Sequence, residues 1–289
     1  MTWLATLGRD WRGKPVLPML LLPLILASPA PPAAGRTGSV PSADGHATAE
    51  RHPSRRGLST QLPPSAKDGC SSLLADDPDA ALAEADRSLA HGGGDDAREC
   101  RALATIAGGD PAGGAAQLDR LAGTGTAQTS PRKADFASEA AQGWLMANRP
   151  ADALRSAGTA LDARPGDPEL LAGHARALIA AGKPEPAVAD LSRIIEQQPG
   201  RADMLVLRGQ ALRLAGRLEA ARADIDLACR LRPDDPDALL ERGILRERAG
   251  DADGARTDWQ RILALSPDTH DADLAQQDLA LLEADPDAS

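Results

Sequence analysis

Tyrosine is absent, phenylalanine occurs once, at Phe136, and aromatic residues make up 2% of the 289 residues. A core without rings has to be built from small and branched aliphatic side chains. Alanine–leucine packing is therefore expected, with Trp144 and Trp259 as the large inserts. Cysteine is scarce too: Cys70, Cys100 and Cys229 are the three, and no histidine is grouped with any of them, which argues against a zinc centre. The histidines, His46, His52, His91, His174 and His270, fall in no HExxH-like spacing and beside no nucleophile. Nothing in the chain supports an enzyme, a cofactor or a metal site. Gly92-Gly93-Gly94 has neither the Lys-Ser/Thr nor the preceding strand of a phosphate loop, so it is a helix connection. Cationic charge is also short, with 32 Lys and Arg against 42 Asp and Glu and a formal charge of −10. With no basic stripe on the repeats described below, nucleic-acid binding is disfavoured.

The one sustained apolar run, Val16 to Ala27, is interrupted by Pro18 and Pro23 and falls short of the roughly 20 residues that span a bilayer. Arg9, Arg12 and Lys14 precede it and small residues follow, the pattern of a secretory signal peptide over 1–35 with cleavage after Ala27 or Gly35. Export to the periplasm or medium follows, with no transmembrane span once the leader is removed. Residues 36–66 are rich in Pro, Ser, Gly, Thr and Arg and lack an apolar period, as a disordered linker does. Its basic cluster, Arg51, Arg55 and Arg56, is expected to be solvated.

Beyond the linker a repeat takes over. Prolines stand at 131, 165, 199, 233 and 267, each 34 residues after the last. Asn148, Gly182, Gly216 and Gly250 keep the same step, as do Ala141, Ala175, Gly209 and Gly243, and Ala153, Ala187, Ala221 and Ala255. Within one unit, 202–215 carries Leu205, Gly209 and Leu212 at helical spacing, and Gly216 supplies the left-handed stop. Residues 218–231 place Ala221, Ile225 and Ala228 on a second stripe, which Pro233 terminates. Small residues at 209 and 221 let the two helices approach closely, so each unit is an antiparallel helix hairpin. Four such units fill 131–268. A degraded version occupies 67–130, where 109–121 lines up with 182–194, and Asp271 to Ala284 of the 269–289 segment reads as a capping helix with its tail.

This 34-residue pattern of small, large and proline positions resembles the tetratricopeptide repeat. The resemblance implies an all-α fold, a right-handed superhelical solenoid of stacked hairpins, and a concave face that holds an extended peptide or a partner's helix. That face maps onto Ser138, Gln142 and Leu145; Ala172, Arg176 and Ile179; Val206, Gln210 and Arg213; and Leu240, Ile244 and Glu247. Arg176, Gln210 and Arg213 are suited to a carboxylate or to backbone groups, and Ile179, Val206 and Ile244 to apolar side chains. The lysine–asparagine clamp of the chaperone-binding branch of the family is not matched.

Cys70 and Cys100 fall on adjacent first helices at the weakest-packed end, where an exported chain is expected to carry a disulfide; Cys229 reads as a buried filler. Comparing the units with one another gives a further expectation. One column runs Ala140, His174, Arg208, Arg242, and another Ser156, Asp190, Asp224, Asp258. Both are neutral in the first unit and of opposite charge capability in the next three. Arg208–Asp224 and Arg242–Asp258 are thus candidate ion pairs within hairpins, and His174–Asp190 is a pH-dependent counterpart. The functional expectation is a non-enzymatic interaction scaffold of the cell envelope. The alternatives are a structural solenoid that associates with itself, and an accessory subunit of an envelope enzyme or secretion complex.

Overall fold

Helix-stop geometry sets the architecture. Asn148, Gly182, Gly216 and Gly250 have φ of 53°, 69°, 77° and 83°. At each, the following N–H reaches back to a carbonyl five residues earlier: Arg149 to Trp144, Lys183 to Leu178, Arg217 to Leu212 and Asp251 to Arg246, at 2.8–2.9 Å. This is the Schellman closure, which satisfies the last carbonyls of one helix and turns the chain into the next. Asn148 is the one non-glycine in the column, and asparagine tolerates that conformation better than most residues.

The computed structural model describes residues 70–123 and 132–284, which form thirteen helices and no strand among the described residues. They are α1 (Cys70–Asp76), α2 (Pro78–Ala90), α3 (Asp95–Ala107), α4 (Pro111–Gly123), α5 (Lys133–Met146), α6 (Pro150–Ala163), α7 (Pro168–Ala180), α8 (Pro184–Gln197), α9 (Ala202–Leu214), α10 (Leu218–Leu231), α11 (Pro236–Arg248), α12 (Ala252–Leu265) and α13 (His270–Ala284). The leader at 1–35, the linker at 36–66, the segment 124–131 and the tail after 284 lie outside the described residues. No described helix is long and apolar enough to cross a membrane.

Consecutive helices pack as hairpins, and first helices also touch their successors, α5 with α7, α7 with α9, α9 with α11 and α11 with α13. That is a solenoid, in which each unit covers the apolar face of its neighbour. Proline opens α2, α4, α6, α7, α8 and α11, where its missing N–H costs nothing. Asp77, Asp167, Asp235 and Asp251 cap the helices that follow them by accepting from backbone N–H groups.

Close approach within hairpins depends on the small columns. A Cβ at Gly209 would lie 2.6 Å from Ile225 Cδ1, and one at Gly243 only 2.3 Å from Trp259 Nε1. Leu205 and Ile225 are buried beside them, 1% and 0% exposed, each worth roughly 2 kcal/mol by burial. At the far end α13 takes the place of a further first helix, with Ala272, Ala275 and Leu282 buried and Leu281 exposed.

Candidate functional site

The first helices and their neighbours enclose a groove of about 500 Å3. From α5 come Asp135, Ser138, Gln142 and Leu145; Ala157 and Ala160 of α6 form its floor; Leu170, Gly173 and Arg176 of α7 make the opposite wall. This is within the size range of small-molecule and side-chain pockets. Alanines at 157 and 160 keep the floor low because they are the close-packing residues of α6, 2% and 1% exposed.

The charges around the groove are unequally occupied. Arg164 pairs with Asp135, and Glu169 receives Arg201 Nη1 at 2.8 Å. Glu139, 2% exposed, sits in the wall and hydrogen-bonds with Glu99 of α3. Burial raises the Glu99 carboxyl, and Arg132, bonded to both Glu99 and Asp96, opposes that rise. Arg176, in contrast, is exposed and takes part in no ion pair among the described residues. Its fork is free to take a carboxylate or backbone carbonyls, and the exposed Gln142 and half-buried Leu145 lie in the same lining.

Further along the stack the residues of the inner face diverge. Ile179, Gln210 and Ile244 are half-buried. Val206 and Leu240 are each 8% exposed and Ala172 is 0%, because neighbouring first helices pack over them. Arg213 is a correction to its reading as a ligand clamp. Its Nε and Nη2 donate to the two carboxylate oxygens of Glu241 on α11 at 2.7 and 2.9 Å, and the two side chains are 11% and 8% exposed. The fork is consumed in joining two units. The inner face of the later units is therefore largely a stacking surface, and the open part lies between α5 and α7.

Structural pairs hold the hairpins in register. Arg208 Nε and Nη2 donate to Asp224 at 2.7 and 2.8 Å, and Nη1 reaches Ser192 Oγ of the preceding unit at 3.1 Å. Arg242 makes the same fork to Asp258 at 2.9 and 2.7 Å, and Arg246 adds a third bond to that carboxylate at 2.6 Å. His174 Nδ1 lies 2.7 Å from Asp190 Oδ2. In the first full unit, where the columns read Ala140 and Ser156, Asp119 of α4 takes that part instead. It accepts from Trp144 Nε1 at 2.8 Å, Ser156 Oγ at 2.7 Å and Arg155 Nη2 at 3.0 Å. Sequence comparison of the repeats missed this node, because Asp119 stands outside the 34-residue register. Cys70 and Cys100 form a disulfide joining α1 to α3, with Cα atoms 5.9 Å apart, while Cys229 is a buried free thiol whose ionisation burial pushes up.

Two family models, both described as tetratricopeptide repeat, match residues 209–280 and 173–236. Residues 173–280 are tetratricopeptide repeats. Among solved structures similar to the chain, one agrees at the level of fold. A tetratricopeptide repeat protein from Parabacteroides merdae is 18% identical with a TM-score of 0.50, covering 63% of this chain and 70% of that one. A thermophilic tetratricopeptide protein of Thermus thermophilus is 22% identical over 52% of this chain and 83% of its own, with a TM-score of 0.47. YrrB, whose structure is described as having an unusual peptide-binding site, is 16% identical over 74% and 98%, with a TM-score of 0.45. No curated protein matches the chain. Helices α5 and α6, ahead of the matched span, continue the same stack.

Proposed function

We propose that the chain is a non-enzymatic scaffold of the cell envelope that holds an extended segment of a partner protein in the groove between α5 and α7. One observation carries this reading: an open groove of about 500 Å3 with an exposed guanidinium, Arg176, unpaired among the described residues, beside the Gln142 amide and an apolar wall of Leu145 and Leu170. A bidentate guanidinium fixes a carboxylate or a strained carbonyl pair in orientation, and the apolar wall rewards one aliphatic side chain next to it. The ligand this suits is an extended peptide with a carboxylate and a neighbouring aliphatic residue. Tetratricopeptide proteins in general bind proteins or peptides, which fits the same reading. The envelope part rests on the leader pattern at 1–35 and is supported by the Cys70–Cys100 bridge, a bond that persists in oxidising compartments.

Panning a displayed peptide library against the chain tests it. Selected peptides should bind the wild type and lose roughly tenfold or more with Arg176→Ala, the loss of a charge-assisted hydrogen bond. Leu145→Asp should weaken them as well. Selected peptides that bind both variants as tightly as the wild type would end the groove reading.

A second reading, self-association through the second helices, has one observation in its favour. Leu231 and Leu265 stand in one column of the repeat and are 45% and 41% exposed at the ends of α10 and α12. Sedimentation that shows a dimer abolished by Leu231→Lys and Leu265→Lys, with no peptide selected, would favour it.

A further inference from the structure

The seams between tetratricopeptide units are apolar at two successive junctions and polar at the third. Leu154 of α6 and Leu178 of α7 share one buried cluster, and Val188 of α8 and Leu212 of α9 share another. Moving on by 34 residues in both columns gives Arg222 on α10 and Arg246 on α11. Two positions that press aliphatic side chains into the stack at the two preceding junctions are therefore both arginine here, and the next step along the columns gives Arg256 and Ala280. The seam opens into a cleft of about 150 Å3, room for several waters or one small ion, lined by Arg222, Ile225, Asp226, Arg242, Leu245 and Arg246.

Replacing a packed aliphatic seam by guanidinium groups forfeits burial, and structural pairing uses only part of what replaces it. Arg242 commits Nε and Nη2 to Asp258, while Arg246 commits Nη1 to Asp258 and the Gly254 carbonyl and keeps Nε 3.7 Å from Asp251 Oδ2. Arg222 is exposed and has no hydrogen bond or ion pair among the described residues. One whole fork and the remaining edges of two others thus border the same small space. Among the described residues, Asp226 is the one carboxylate in the lining. With Asp258 behind and Asp251 at the back of Arg246, three guanidiniums meet three carboxylates, and Arg222 is the one guanidinium of the three with no partner among the described residues.

We propose that the cleft between α10 and α11 binds a phosphate group, as the free ion or as a phosphate monoester. Planar forks satisfy the several acceptor oxygens of such a group with directional charge-assisted bonds, which a single ammonium does not. Arg222 is the recruiting side chain, since the other two are already fixed by Asp258. Asp226 sets a ceiling on affinity by its like charge.

Titration calorimetry with inorganic phosphate and with phenyl phosphate, at constant ionic strength and near pH 7.5, tests the site. Saturable binding to the wild type is expected, weakened roughly tenfold or more by Arg222→Ala. Asp226→Asn should tighten binding several-fold by removing a repelling charge. Arg222→Leu restores the residue type found at 154, so it should fold normally and bind no better than Arg222→Ala. Tighter binding of the free ion would name inorganic phosphate as the natural occupant, and tighter binding of phenyl phosphate would name an ester. No saturable binding of either probe, or equal binding by wild type and Arg222→Ala with unchanged circular dichroism, would overturn the proposal.

Discussion

From α7 to α12 each hairpin is clasped from within, by a His or Arg on the first helix and an Asp 16 residues later on the second. From α1 to α6 no clasp at that spacing exists among the described residues; Arg164 pairs with Asp135 within the α5–α6 hairpin, and the other fastenings run across units. The Cys70–Cys100 bridge ties α1 to α3, Arg132 at the start of α5 reaches Asp96 and Glu99 of α3, and Asp119 of α4 gathers Trp144, Ser156 and Arg155. The difference teaches where register comes from in a stack with few aromatics. Alanine faces are smooth and slide at little cost, so directional bonds are needed to select one arrangement. A degenerate end, with no neighbour on one side, draws those bonds from the adjoining unit.

The clasped half should break most sharply at Asp258. Asp258→Ala strands Arg242 and leaves Arg246 with only the Gly254 carbonyl and the looser Asp251 contact, and removing one partner of a buried pair costs about 3–5 kcal/mol. Hydrogen exchange of α11 and α12 amides should speed up accordingly. Asp224→Ala, with one arginine left, should cost less, and Asp190→Ala, opposite a histidine, on the order of 1 kcal/mol. Equal losses at all three would dissolve the contrast between arginine and histidine clasps.

In the cross-fastened half, Cys70→Ser with Cys100→Ser should cost about 3 kcal/mol, the size expected for a bridge closing a loop of 30 residues. The loss should appear as exchange in α1 to α3 and leave α9 to α12 protected. A uniform loss along the whole stack would mean that the two halves unfold as one unit.

The smallest effect is expected at the C-terminal end, where α13 meets α11. Asp237 is pushed up to about 6, first by loss of hydration and then by the charges of Asp271 and Asp235, and Asp271 is raised mainly by its own burial. A raised carboxyl stabilises the folded form while it keeps its proton. That contribution is present below about pH 4 and is lost as pH rises through about 6. Asp237 is an exposed residue, so solvent screening trims the effect to below ~1 kcal/mol. Amides of α13 should exchange somewhat faster at pH 7 than at pH 5 after correction for intrinsic rates, and Asp271→Asn should flatten that difference.

Much of this architecture was legible before any coordinates. The step of 34 residues set the hairpin boundaries, because only a left-handed residue at 148, 182, 216 and 250 lets the chain double back there. Columns that change charge together, 208 with 224 and 242 with 258, pointed to side chains that meet. The groove was less legible. Helical spacing puts Arg213 on the inner face, but whether it points to a ligand or to Glu241 depends on how far one unit is offset against the next. Val206 and Leu240 disappear beneath neighbouring first helices for the same reason. Asp119 escaped because the alignment of 109–121 with 182–194 sets it opposite Ser192, outside the column of Asp190, Asp224 and Asp258. Arg222 and Arg246 carry no signal of their own in the sequence; what sets them apart is that the aliphatic residues of the same two columns pack together at the preceding junctions.

Site-specific photo-crosslinking tests the central claim most directly. A benzoylphenylalanine in place of Gln142, on the α5 wall of the groove, should form an adduct with a peptide selected against the chain. The same probe in place of the exposed Ala223, on α10, should not. Adducts formed from position 223 but not from 142 would contradict a partner seated between α5 and α7.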